Sequence, residues 1–275
     1  MSPFYRLFSL DDESIQHPYA TTERVTSING VIYSTVISTG IVVLFTPFLH
    51  RRRRRSSSSS SRGDARTNWI HVLNVSLLSL ALSLILTEFV TEIFKNSIGR
   101  LRPDFIARCM PRPGTPLTGL VGVEVCTNPS LQVLNDGFRS TPSGHSSNAF
   151  AGLGWLSAWT AGQLKVFRPG KELFRTMLAL LPLVGASLIG ISRIEDYRHH
   201  VTDILFGGVL GSLIAWYSYR KYFPHLGTDT CNVPFPAPAS SLSSSNGVKD
   251  SLDQHDYYDS LDELEAGESA KQYPD

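Results

Sequence analysis

Five stretches of this chain are each long and apolar enough to cross a bilayer, and they limit its fold more than any other feature. They run approximately over 27–49, 69–94, 146–164, 174–192 and 201–219, each near the ~20 residues a helix needs to span the hydrocarbon layer. Trp69, Tyr217, Tyr219 and Tyr222 stand near several of the ends, where amphipathic rings favour the headgroup region. One such stretch reads as well as a buried helix of a soluble protein; five in 275 residues do not. The mean hydropathy of −0.04 conceals them, because it averages apolar stretches with very polar ones. The expected fold is all-α: a polytopic membrane helix bundle of about five transmembrane helices.

The connecting segments divide the chain into an N-terminal interfacial segment (1–25), a membrane-embedded part (26–222) and an acidic C-terminal tail (223–275). The first 25 residues contain no continuous apolar core of the kind a secretory signal needs. The loop 50–68 holds "RRRRRSSSSSSRGDAR", seven arginines against Asp64, the composition of loops retained in the cytoplasm. Because spans flank it, it reads as a topology signal attracted to anionic headgroups, and no nucleic-acid partner is expected. Two spans away, 165–173 carries Lys165, Arg168 and Lys171, and Arg220 and Lys221 follow the last span on the same side. Parity then puts the loop 95–145 and the turn 193–200 together on the opposite, lumenal or extracellular, side. From 226 onward ten acidic residues stand against two lysines, so the tail reads as disordered and cytosolic.

Polarity gathers where those opposite-side segments meet the spans. "SRIEDYRHHVTD", 192–203, carries the formal charges Arg193, Glu195, Asp196, Arg198 and Asp203 between two apolar stretches. Buried singly at mid-bilayer they would cost roughly 12–18 kcal/mol, so water or counter-charges must reach them. His199 and Asp203 are four apart, on one helical face, where the carboxylate can accept from the imidazole Nδ1–H and leave Nε2 as a nucleophile. His200 is three from Asp203, and spacing alone does not separate the two histidines. In "KNSIGRLRP" seven residues separate Lys95 from Arg102, nearly two helical turns, so both cations can point one way. Pro103 is expected to end that helix at Arg102. In "RSTPSGHSS" Ser143 and Gly144 sit where a helix should begin, suited to wrapping an oxyanion, and His145 follows at once. Three cations, two histidines, a carboxylate and a Gly-containing helix start make a phosphate pocket with its own nucleophile and acid. No metal site and no cofactor are expected, since Lys and Arg can supply the charge stabilisation.

These three segments resemble the signature of the type 2 phosphatidic acid phosphatases, or lipid phosphate phosphatases: K-x6-R-P, P-S-G-H and S-R-x5-H-x3-D. The resemblance covers roughly 3–222 and looks closest to fungal phosphatidate and diacylglycerol pyrophosphate phosphatases. It implies that Lys95, Arg102 and Arg193, with Ser143 and Gly144, hold the phosphate. It implies His199 as nucleophile, Asp203 as its orienting partner and His145 as the acid that protonates the leaving group. A phosphohistidine intermediate, independence from Mg²⁺ and membrane lipid phosphates as substrates (phosphatidate, lysophosphatidate and diacylglycerol pyrophosphate) follow from the same resemblance, with a sphingoid- or isoprenoid-phosphate phosphatase as the nearest alternative within the family. So does a multi-pass place in an endomembrane or the plasma membrane. The family usually has six spans, the first ahead of a segment resembling "FYRLFSLDDESIQHPY"; here a first span is expected to be missing, with the N-terminus on the outer side.

Other classes predict different patterns. An anion transporter should carry charges deep in several spans and an internal repeat, whereas here polarity gathers at span ends. A catalytically dead homologue should lack the nucleophile or the acid. Cys109 and Cys126 lie in the outer loop, where a disulfide and two unpaired thiols both remain open. Glu92 stands three residues from Lys95, within reach of an ion pair. Oligomeric state is not legible.

Overall fold

Each apolar stretch forms a helix in the computed structural model, which describes residues 3–56, 68–170 and 172–236. Helix α1 runs through Ser27–Ile32, a π-helical turn at Tyr33–Ile37 and Ser38–Ser56. Helix α2 is Trp69–Ile98. Two short helices follow, α3 at Phe105–Cys109 and α4 at Leu131–Gly137. Helix α5 joins Gly144–Ala149, a π-helical turn at Phe150–Gly154 and Trp155–Leu164. Helices α6 and α7 are Leu173–Glu195 and Val201–Tyr222. Among the described residues there is no strand, only isolated bridges at Phe8–Val121 and Pro111–Cys126. The expectations for loop residues 57–67 and for the tail beyond 236 fall outside the described residues.

Among the described residues, four helices are long and apolar enough to cross a membrane: 27–49 within α1, and all of α2, α6 and α7. The fifth stretch, expected as a span over 146–164, is helical but differs in kind. Ala149, Ala151, Trp155 and Leu156 on it are fully buried or nearly so, because α1, α2, α6 and α7 all pack against it. A helix enclosed by protein has its polar groups satisfied by neighbours and need not be apolar all round.

The bundle is apolar outside and hydroxyl-lined inside. Along α2 the buried residues include Ser76, Ser79, Ser83, Thr87 and Thr91, at spacings of three and four. Leu78, Ile85 and Phe89 on the opposite face are each more than half exposed. Four of these five hydroxyls, all but that of Thr87, make hydrogen bonds. Trp159 Nε1 donates to Ser76 Oγ at 3.0 Å and Trp155 Nε1 to Ser79 Oγ at 2.8 Å. Ser79 Oγ in turn donates to the Ser218 carbonyl at 2.7 Å, and Ser83 Oγ to the Ala151 carbonyl at 2.9 Å. Lipid offers no hydrophobic drive between helices, so close packing and such bonds, about 0.6 kcal/mol each, hold the bundle.

Close packing is tightest between α5 and α7. A Cβ at Gly211 would lie 2.2 Å from the Ser147 carbonyl oxygen, and one at Gly207 would lie 2.6 Å from that of Ser143. Both neighbours are backbone, so a side chain must push the helices apart. Gly211→Val is expected to cost about 1–3 kcal/mol as overpacking, seen as a lower thermal midpoint in detergent; an unchanged midpoint contradicts this packing. The contact also sets where α5 begins relative to the start of α7, which matters for the site.

At the end of the bundle where α2 and α6 finish and α5 and α7 start, the loop after α2 and residues 3–26 form a cap. Phe8, Ile15, Phe105, Leu134 and Phe138 build its core, and a Cys109–Cys126 disulfide closes it. The N-terminal segment is tied down by backbone bonds from Phe4 N–H to the Asn96 carbonyl and from His17 N–H to that of Pro103. At the other end, residues 223–236, read from sequence as the start of a disordered tail, fold against the bundle instead. Phe223 and Cys231 are fully buried, and the Tyr219 hydroxyl donates to the Cys231 carbonyl at 3.1 Å.

Candidate active site

Helix α2 ends at Ile98, one turn short of the expected Arg102, because Gly99 takes the left-handed conformation at φ +62°. A side chain is excluded there: a Cβ at Gly99 would lie 2.2 Å from the Phe4 carbonyl oxygen. The chain therefore turns at Gly99, and Arg102 reaches the same cavity as Lys95 from a loop rather than from a further turn of helix. That cavity, about 200 Å³, is lined by Lys95, Arg102, Gly144, His145, Arg193 and His199 among others. Six of the eight residues named from the sequence thus face one space at one end of the bundle.

The other two, Ser143 and Asp203, lie behind it. Ser143 caps α5, its Oγ accepting from Ser146 N–H at 3.5 Å, and its own N–H donates to the Asp203 carbonyl at 3.0 Å. The Ser143 amide is therefore committed to holding α5 against α7, while Gly144 brings backbone to the wall. A Cβ on Gly144 would lie 2.7 Å from Lys95 Nζ, so the missing side chain leaves room for that cation. Asp203 does not hold His199 directly. Its Oδ2 is 4.0 Å from His199 Nδ1, beyond hydrogen-bond reach, and that Nδ1 instead meets the Ser140 carbonyl at 2.8 Å. A carbonyl only accepts, so Nδ1 carries the hydrogen and Nε2 keeps its lone pair.

The two histidines are placed differently. His200 caps α7, its N–H donating to Asp203 Oδ2 at 2.9 Å, with Nδ1 3.2 Å from the same oxygen and Nε2 3.3 Å from the Ser14 carbonyl. Both its ring nitrogens are engaged away from the cavity. His199 is buried within the cavity wall, and burial, with Arg102 and Lys95 close by, pushes its pKa well below the ordinary value. Burial and the two cations thus disfavour the charged form of the ring.

Each cation is held by a carboxylate. Lys95 Nζ lies 3.1 Å from Glu92 Oε1, the pairing that their spacing suggested. Arg102 pairs with Asp136 Oδ1 at 2.8 Å. Against the opposing effect of burial, Arg102 and Arg108 hold the Asp136 carboxyl below its usual range. Arg193, buried at the end of α6, donates to the Val25 carbonyl, reaches Glu23 Oε2 at 3.3 Å and Asp196 Oδ2 at 3.1 Å, and sits 3.3 Å from His145 Nε2. Among the wall residues that sequence reasoning missed are Glu23, Asn148 and Arg198. Arg198, next to His199, pairs with Glu23 Oε1 at 2.8 Å and stacks over the Tyr19 ring at 4.6 Å; Asn148 donates to Glu88 Oε2 at 2.6 Å. Arg198 was findable, lying inside a charged motif; Glu23 and Asn148 carried no signal beyond their charge or polarity.

The cavity thus brings Lys95, Arg102 and Arg193 together with two histidines, His145 and His199. The sequence profile of the PAP2 superfamily matches residues 76–226, more than half of the chain. This protein belongs to the PAP2 superfamily. All eight residues derived above lie inside the matched PAP2 region. The chain is 45% identical over 223 residues to diacylglycerol pyrophosphate phosphatase 1 of Saccharomyces cerevisiae, covering 81% of this chain and 72% of that one. It is 43% identical over 227 residues to the "probable diacylglycerol pyrophosphate phosphatase 1" of Schizosaccharomyces pombe, covering 82% and 75%. Lipid phosphate phosphatase 2 of Arabidopsis thaliana is 36% identical over 157 residues, 57% of this chain and 54% of that one.

Proposed function

We propose that this PAP2 protein is a membrane-embedded lipid phosphate phosphatase that removes the terminal phosphate of diacylglycerol pyrophosphate and the phosphate of phosphatidate. The observation that carries the reading is the convergence of Lys95, Arg102, Arg193, His145 and His199 on one cavity at one end of the bundle. A site at that level suits a substrate whose acyl chains remain in the bilayer while its headgroup enters among the cations.

In the proposed cycle Lys95, Arg102 and Arg193 take the non-bridging oxygens, with the helix-start backbone at Gly144 contributing N–H donors. His199 Nε2 attacks phosphorus in line with the leaving oxygen, the P–O bond breaks, and His145 gives that oxygen a proton. Burial, and after it the neighbouring Arg193, disfavour the protonated His145 ring, whereas the charge of a bound phosphate favours it. A water then attacks the phosphohistidine, His145 accepts its proton, the P–N bond breaks and phosphate leaves. Charge stabilisation is assigned to the protein's own cations, with no step given to Mg²⁺. The site would face the lumen or exterior, with the tail in the cytosol.

Purified protein in mixed micelles with EDTA should release phosphate from both lipids. Release that requires added Mg²⁺ would contradict the assignment of charge stabilisation to the side chains, and no release from either lipid would contradict the substrate class.

A further inference from the structure

Resting on the reading of His199 as nucleophile, we propose that Ser140 is the residue that positions it, relaying to the imidazole a constraint that originates at Asp203. Asp203 is fully buried, as is Ser140, and the two are joined by a bond from Ser140 Oγ to Asp203 Oδ2 at 2.6 Å. The carbonyl of the same serine accepts from His199 Nδ1–H at 2.8 Å, while its N–H donates to the Arg100 carbonyl at 3.0 Å. Side-chain hydroxyl, amide and carbonyl of Ser140 are thus all engaged, and the peptide that aims the nucleophile is fixed on three sides.

Asp203 anchors more than this one residue. Its Oδ1 accepts from the Thr141 hydroxyl and from Arg100 at 2.7 Å, and its carbonyl takes the Ser143 N–H at 3.0 Å. One residue at the start of α7 therefore pins 140 and 141 through its carboxylate and 143 through its backbone carbonyl, the run that ends at Gly144 and His145. The same hub sets the imidazole that attacks and the helix start that bears the acid. A carboxylate bonded directly to the histidine would fix only the first. Loss of the Ser140 hydroxyl frees the 140–141 peptide to shift, and displacements on the scale of 1 Å can cost about 100-fold in rate.

The test compares Ser140→Ala, Ser140→Cys, Asp203→Asn, Ser140→Ala/Asp203→Asn and His199→Ala in the micelle assay, with thermal midpoints measured alongside. Ser140→Ala is expected to lower kcat about 10–100-fold with KM within about two-fold, and to slow single-turnover formation of the phosphoenzyme while inorganic phosphate still competes as in the wild type. Ser140→Cys, near in size but a weak donor, should fall between. The double variant should be little worse than Asp203→Asn, because both changes cut one relay. A merely structural serine would lower the midpoint and leave the kcat-to-KM split unmoved. Full kcat in Ser140→Ala or Ser140→Cys beside an impaired Asp203→Asn overturns the relay, as do additive losses in the double variant. Activity surviving in His199→Ala is a separate failure, that of the nucleophile assignment.

Discussion

Replacing His199 with alanine should reduce phosphate release by at least about 10⁴-fold, the scale on which loss of a covalent nucleophile acts, while His200→Ala retains most of the activity. The two imidazoles are adjacent in sequence and opposite in circumstance. His199 is buried beside Arg102 and Lys95, which disfavours its charged form, and its Nδ1 is occupied by a carbonyl, leaving the lone pair on Nε2. His200 spends its backbone N–H and Nδ1 on Asp203 and turns Nε2 to Ser14. Its removal costs a helix cap, about 1 kcal/mol, with the thermal midpoint as readout. Rates for both variants under one micelle condition decide the matter, and equal losses would contradict the division of roles.

Arg193→Lys should lower kcat/KM by about 10²–10³-fold, comparable to removing one preorganised charge-stabilising donor, although the formal charge is kept. The guanidinium is 1% exposed and already spans Glu23, Asp196, the Val25 carbonyl and the neighbourhood of His145. A planar fork can keep those partners and still present an edge to phosphate oxygens; a lysine ammonium, one point charge on a flexible stem, cannot. The substitution also leaves Glu23 or Asp196 without a partner in a buried setting, so some loss of thermal stability accompanies the rate effect. Steady-state kinetics on both lipids, read with the thermal midpoint, separate the two. Wild-type kcat/KM in Arg193→Lys would mean that Arg193 holds the N-terminal segment and not the phosphate.

The membrane helices were legible because hydropathy over about twenty residues is a strong signal, and all five apolar stretches are helical. What hydropathy could not distinguish was a lipid-facing helix from an enclosed one. The 146–164 stretch is as apolar as it needs to be inside a ring of other helices, and its small residues and π-helical turn answer to packing against α7 rather than to lipid. Spacing brought His199 and Asp203 to one helical face, yet the chain is not helical at His199: α7 begins at Val201. The four-residue rule therefore did not apply, and the direct bond became an indirect one through Ser140. The inward turn of Arg102 depends on Gly99 meeting Phe4, a contact between residues 95 positions apart that no local pattern encodes. Glu23 was invisible for the same reason: its role arises only when the N-terminal segment is laid across the site. The ordered start of the tail was hidden by composition, since Phe223 and Leu226 are too few to register beside the acidic run that follows.

The most direct test is to identify the residue that carries phosphorus during turnover. Protein mixed with diacylglycerol pyrophosphate labelled in its terminal phosphate, quenched within the first turnover into alkali, should carry an alkali-stable, acid-labile label on the peptide containing His199, and none in His199→Ala. Label found on His145 or His200, or first-turnover phosphate release with no labelled protein, would contradict the account.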